Sequence, residues 1–142
     1  MLIVSHVVAG AVIAKAIPNL WLAAPLAFFS HFLLDMIPHA QAPTGEGYRP
    51  IKRTYFSVVL DVIASLIFLF FFKPSLTTVV VIAAAILPDL LDLTRYNLFC
   101  YKNFRIYYDF HDKIQNETNK PIGFITQTVL IILGIFVLGI LI

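Results

Sequence analysis

Apolar residues fall in five long runs separated by short or polar breaks, covering 2–17, 20–37, 55–72, 75–93 and 122–142. Irregular backbone cannot lie unpaired in lipid, so runs of this kind predict helices. The first, at about 24 Å, is short against a hydrocarbon core of roughly 30 Å. Prolines punctuate the pattern. Pro38 closes the second run, while Pro74 and Pro121 suit the first turns of helices. Pro88 lies inside the fourth run, where it should bend the helix and free a carbonyl one turn back. Of the two longer polar connections, 39–53 (HAQAPTGEGYRPIKR) is rich in turn residues and 94–120 is longer and strongly aromatic. On a helical wheel Lys102, Arg105, Asp109, Asp112 and Lys113 share an arc of about 100°. Tyr96, Phe99, Cys100, Phe104, Tyr107 and Phe110 fill the other side, with His111 among them. That pattern predicts a helix over about 96–113 lying in a membrane interface and turning His111 toward the bundle. The expected fold is all-α: one membrane domain over 1–142, a polytopic bundle of about five transmembrane helices with an interfacial helix before the last.

Composition supports the membrane reading. Of 142 residues, 60% are hydrophobic and only 13% charged, whereas a soluble domain carries roughly a quarter charged residues. The chain is too short for two domains. One cysteine, Cys100, excludes an internal disulfide. The first residues, MLIVSHVVAG, have no basic leader and read as a retained helix rather than a cleaved signal. Eight of the ten basic residues, Arg49, Lys52, Arg53, Arg95, Lys102, Arg105, Lys113 and Lys120, lie in the two polar connections. Alternating topology puts both connections on one side, which the positive-inside bias makes cytoplasmic. The expected location is a bacterial or archaeal inner membrane, with the N-terminus and both long loops cytoplasmic and Trp21 in the outer interfacial belt.

Placement of the other ionisable residues changes the picture most. His6, His31, Asp35, Asp61, Asp89 and Asp92 lie within the apolar runs, where such groups mark functional sites. His39 follows the second run and His111 points in from the interfacial helix. With the topology set by Lys and Arg alone, all eight fall at the cytoplasmic end of the bundle. His31 and Asp35 stand one helical turn apart on one face, and Asp89 and Asp92 at i, i+3 form a second such face. Imidazole and carboxylate donors without thiolates suit zinc, or manganese and iron, and not a structural cysteine site. Four acidic groups together need cations or protons, and one or two divalent ions would supply that charge. His6, His31, Asp35, His39, Asp89 and His111 are the expected metal ligands. Asp61 and Asp92 are candidates for ligand, for general base, or for an acceptor that orients a ligand imidazole.

Three short motifs carry a resemblance: SHVVAG (5–10), SHFLLDMIPHA (30–40) and LPDLLD (87–92), completed by a late histidine, His111. The pattern resembles a family of small bacterial and archaeal membrane proteins described as metal-dependent hydrolases, which includes a LexA-regulated inner-membrane type. A fainter similarity is to zinc-dependent phospholipase C and P1 nuclease, whose His-x-x-x-Asp helices HFLLDMIPH resembles. This chain is shorter and has one His-x-x-x-Asp, with PDLLD and His111 in place of a second.

These readings lead to a membrane hydrolase acting on a phosphoester, in a lipid or lipid-linked substrate, at the cytoplasmic surface. Its metal would polarise the scissile group and acidify a bound water. Arg49, Lys52, Arg53, Arg95 and Lys102 would draw in an anionic head, or simply set topology. No nucleic-acid partner is expected. The alternatives are a divalent-cation or proton-coupled transporter, disfavoured by the apolar outer halves of the helices, and a non-catalytic membrane protein with a structural metal. The last run carries no charge and reads as an anchor or a dimer face, although Gly134 and Gly139 lack the four-residue spacing of close dimers.

Overall fold

The computed structural model describes residues 1–40, 52–92, 94, 98–118 and 120–141, with backbone alone for 52–57, 98–101 and 120. Among these residues there are six helices: α1 (Ile3–Ala16), α2 (Leu20–Asp35), α3 (Lys52–Phe72), α4 (Leu76–Asp92), α5 (Leu98–Ile114) and α6 (Lys120–Leu141). No strand is present among them; a single isolated bridge pairs His39 with Glu117.

Local chemistry sets the helix ends. Pro18 disfavours helical backbone at the residue before it, and Ile17 is extended (φ −125°, ψ 96°), which stops α1. Asn19 then caps α2, its side-chain oxygen accepting the Trp21 N–H at 3.0 Å. α2 ends at Asp35, two residues before the expected limit, and Pro38 turns the chain away so that His39 leaves the helix. Between α3 and α4 the chain reverses through Lys73 in the left-handed region (φ 49°) followed by Pro74.

α1 is the central helix and packs against α4, α2, α6 and α3. Val7, Ala11, Ile82 and Leu138 form one buried cluster, and Ala23, Ala27, Val81 and Ala85 another. Small residues let α1 and α4 approach closely. A Cβ on Gly10 would lie 3.0 Å from both the Ala85 Cβ and the Ile82 Cα, so this crossing needs glycine.

α5 departs from the single wheel drawn over 96–113. Its backbone breaks at Phe104 (φ −114°, ψ 18°), which rotates the second half relative to the first. Tyr108 and His111 are consequently buried, while Phe104 and Phe110 are exposed. The inward turn of His111 is as expected, but the two phenylalanines face out. Tyr96, at the expected start of this helix, lies outside the described residues, and the side chains of Phe99 and Cys100 are not described.

The expectation of five spans is met only in its coarser part. The fold is all-helical, and among the described residues one helix, over Pro121–Leu141 with mean hydropathy 2.6, is long and apolar enough to cross a membrane. α1, α2 and Val58–Phe72 are shorter apolar helices. α1 and α2 have 14 and 16 residues. At a rise of 1.5 Å per residue those lengths give only about 21 and 24 Å, because prolines close both helices.

Candidate metal centre

Four ligand atoms, one each from His31, Asp35, Asp89 and His111, lie within 4.8 Å of one another and could hold a metal ion. They come from α2, α4 and α5, which meet where α4 carries Pro88.

Pro88 has no N–H and its ring crowds the carbonyls of the preceding turn. In that turn, the Ala85 carbonyl accepts the His31 Nδ1–H at 2.8 Å. A carbonyl can only accept, so Nδ1 carries the proton and the Nε2 lone pair is free to bind a cation. His31 Nε2 lies 3.2 Å from Asp35 Oδ2 and 3.6 Å from Asp89 Oδ1, and has no hydrogen-bond partner. The Tyr107 hydroxyl donates to the Pro88 carbonyl at 2.7 Å, which ties α5 to the same turn.

His111 is fully buried, with Nε2 3.1 Å from Asp35 Oδ2 and Nδ1 3.4 Å from Asp92 Oδ1. Burial alone would lower its pKa; the bonds to Asp35 and Asp92 outweigh that and raise it from 6.5 to about 9. Metal-free His111 is therefore an imidazolium held between two carboxylates. When Nε2 gives up its proton to a cation, Asp92 still holds Nδ1–H, the carboxylate–imidazole arrangement that orients metal ligands.

The chain between α5 and α6 closes this end of the bundle. Asn116 N–H donates to the Asp35 carbonyl at 2.9 Å, and His39 N–H donates to the Asn116 carbonyl at 3.0 Å. Thr118 N–H donates to the His39 carbonyl at 2.9 Å. The tail of α2 and the tail of α5 are thus stitched together beside the ligands.

Of the other expected ligands, His6 is adjacent and His39 is not part of the group. The His6 ring stacks on His31 (centroids 3.9 Å apart, 19° between planes), with Nε2 3.4 Å from Asp35 Oδ1. His39 is buried but directed elsewhere, its Nδ1 donating to the Ile37 carbonyl at 2.8 Å, because Pro38 turns it off the α2 face. Asp61 does not join the group. Its two carboxylate oxygens accept the N–H groups of Ile3 (2.6 Å) and Val4 (3.0 Å), so it caps α1 from the neighbouring helix. Asp92 reaches His111, its Oδ1 3.4 Å from Nδ1, and so can orient that imidazole.

Two partners were not anticipated. The Met1 amino nitrogen lies 3.1 Å from Asp35 Oδ1. Gln127 of α6 is fully buried; its oxygen accepts Leu2 N–H at 2.7 Å and its nitrogen donates to the Ala40 and Gly123 carbonyls at 3.1 Å each. The last helix is therefore not a bare anchor. The signal was present as an amide inside an otherwise apolar run. Of the basic residues assigned to anion attraction, Arg49 and Arg95 lie outside the described residues, and the side chains of Lys52 and Arg53 are not described. Lys102 is exposed on α5.

The donor set fits a divalent ion: two imidazoles and two carboxylates, with the buried His31 Nε2 and Asp89 Oδ2 otherwise unpartnered. No protein-family model, curated protein or solved structure matches this chain.

Proposed function

We propose that the protein is a metal-dependent membrane hydrolase of phosphoesters in lipid or lipid-linked substrates. The observation that carries this reading is the buried convergence of His31, Asp35, Asp89 and His111, with the metal-facing nitrogen of His31 left unbonded. A divalent cation there, zinc first and manganese or iron next, supplies a Lewis acid and an acidified water. One ion fits these four residues, and a second is the finer form of the same reading. The residues of the chain do the rest. Ala85 fixes the tautomer of His31, Asp92 orients His111, and Asp35 receives both imidazoles.

The membrane part of the proposal is a five-span bundle with its N-terminus and both polar connections cytoplasmic. Support comes from the outer faces, where Trp21, Phe70, Phe71, Leu76, Phe136 and Ile140 are all at least 66% exposed. Apolar surface on that scale marks contact with a membrane or partner. Phe104, Ile106 and Phe110, exposed on α5, suit a helix lying in the interface. A substrate head at that level meets the ligand cluster without crossing the bilayer. The motif resemblance to small membrane hydrolases supports the same reading.

The test compares metal content and hydrolysis of phosphoesters and phospholipids by detergent-purified wild type, His31→Ala and Asp35→Ala. Wild type should bind zinc or manganese stoichiometrically and hydrolyse a substrate in a chelator-sensitive way. Both variants should lose both properties. Wild type that binds no such ion at neutral pH would refute the proposal.

A further inference from the structure

Given the metal-dependent reading above, on which this rests, we propose that His6 holds a second divalent cation beside the first, sharing the Asp35 carboxylate through its Oδ1. His6 is fully buried, and neither of its ring nitrogens has a hydrogen-bond partner. A buried imidazole left unbonded is costly, and native structures rarely keep one without an occupant for it. The other three histidines each bond through Nδ1: His31 to Ala85, His39 to Ile37 and His111 to Asp92.

The carboxylates are arranged for two ions. His31 and His111 address Asp35 Oδ2 at 3.2 and 3.1 Å, whereas His6 addresses Oδ1 at 3.4 Å. The parallel stacking of His6 on His31 brings the two imidazoles to the same carboxylate side by side. A carboxylate approached in this way through both oxygens has the geometry of a bridge between two cations. Asp89 repeats the division. Its Oδ1 lies 3.6 Å from His31 Nε2, while its Oδ2 is buried and unpartnered. Imidazole plus carboxylate donors select a transition-type ion such as zinc or manganese. Paired ions about 3.5–4 Å apart are the arrangement that suits phosphoester displacement.

The experiment titrates the chelator-stripped, detergent-purified full chain with zinc and with manganese. Wild type should bind two ions per chain, and His6→Gln and His6→Ala one. Manganese-loaded wild type should give an exchange-coupled paramagnetic signal that both variants convert to that of an isolated ion. Zinc-loaded wild type should show a metal–metal vector of about 3.5–4 Å by X-ray absorption, a readout that needs no variant to fold. One ion in wild type, with no metal–metal vector, overturns the second site and leaves the hydrolase reading standing. Two ions retained after both His6 substitutions overturn it as well, placing the second ion elsewhere. No ion in wild type overturns both readings.

Discussion

In the proposed metal centre, a proton and a cation would compete for His111, and the competition has a predictable size. Its pKa in the metal-free protein is raised from 6.5 to about 9 by Asp35 and Asp92, acting against burial. A raised pKa stabilises the folded state fully below the unfolded value, and the contribution is lost as pH rises through the folded value. The metal-free protein should therefore lose roughly 3 kcal/mol of stability across the window from 6.5 to about 9. Metal binding runs the other way, because the ligand must be neutral. At pH 7 only about 1% of His111 is neutral, which weakens the apparent affinity by about 100-fold relative to pH well above 9. Affinity should tighten by about tenfold per pH unit from 7 toward 9. The assay is zinc titration of the purified protein against a calibrated chelator at stepped pH, with calorimetry in buffers of different ionisation enthalpy to count released protons. His111→Gln should bind more weakly but with that part of the slope removed, which subtracts protons released from water. A slope that is flat in wild type, or equally steep in His111→Gln, would refute the argument that His111 carries the proton.

Two further outcomes follow from particular bonds. Asp92→Asn should weaken metal binding about 10–100-fold by loosening the orientation of His111, whereas Asp109→Asn, whose side chain pairs with Arg105 on the exposed face of α5, should change neither affinity nor melting temperature measurably; equal effects in the two would argue against the Asp92 role. Gln127→Met should leave Leu2 N–H and the Ala40 carbonyl without their buried partner and destabilise the protein by about 1–3 kcal/mol, read as a lower melting temperature in detergent, with Thr128→Val on the exposed side of α6 as the unaffected control.

The helices were legible because each signal is local. Apolar runs and prolines predict segments over 2–17, 20–37 and 75–93, and the helices stand at Ile3–Ala16, Leu20–Asp35 and Leu76–Asp92. The site was legible in part, through one expectation, that the positions of Lys and Arg put the other ionisable residues at one end of the bundle. That expectation grouped His6, His31, Asp35, Asp89, Asp92 and His111, which do come together, but it does not say which way a side chain is used. Asp61 was grouped with them, yet the N–H groups of Ile3 and Val4 have no acceptor within their own helix, and its carboxylate is spent on them. His39 is near in sequence to Asp35, but Pro38 and the Asn116 pairing turn its ring to its own backbone. Gln127 escaped because a census of charges passes over a neutral amide, although burial makes its three bonds as binding as an ion pair.

Pro88 shows why the legible and hidden parts belong together. In an isolated helix it is a defect, costing a backbone hydrogen bond and crowding the previous turn. Here other helices bond to carbonyls of this turn. The Ala85 carbonyl takes His31 Nδ1, which fixes the tautomer, and the Pro88 carbonyl takes the Tyr107 hydroxyl, which anchors α5 one turn from His111. Asp89, the next residue, then faces His31, and Asp92 faces His111. This end of α4 therefore meets one imidazole from α2 and one from α5 and supplies a carboxylate to each. Pro88, unfavourable in an isolated helix, thus lies in the turn of α4 where the ligands meet.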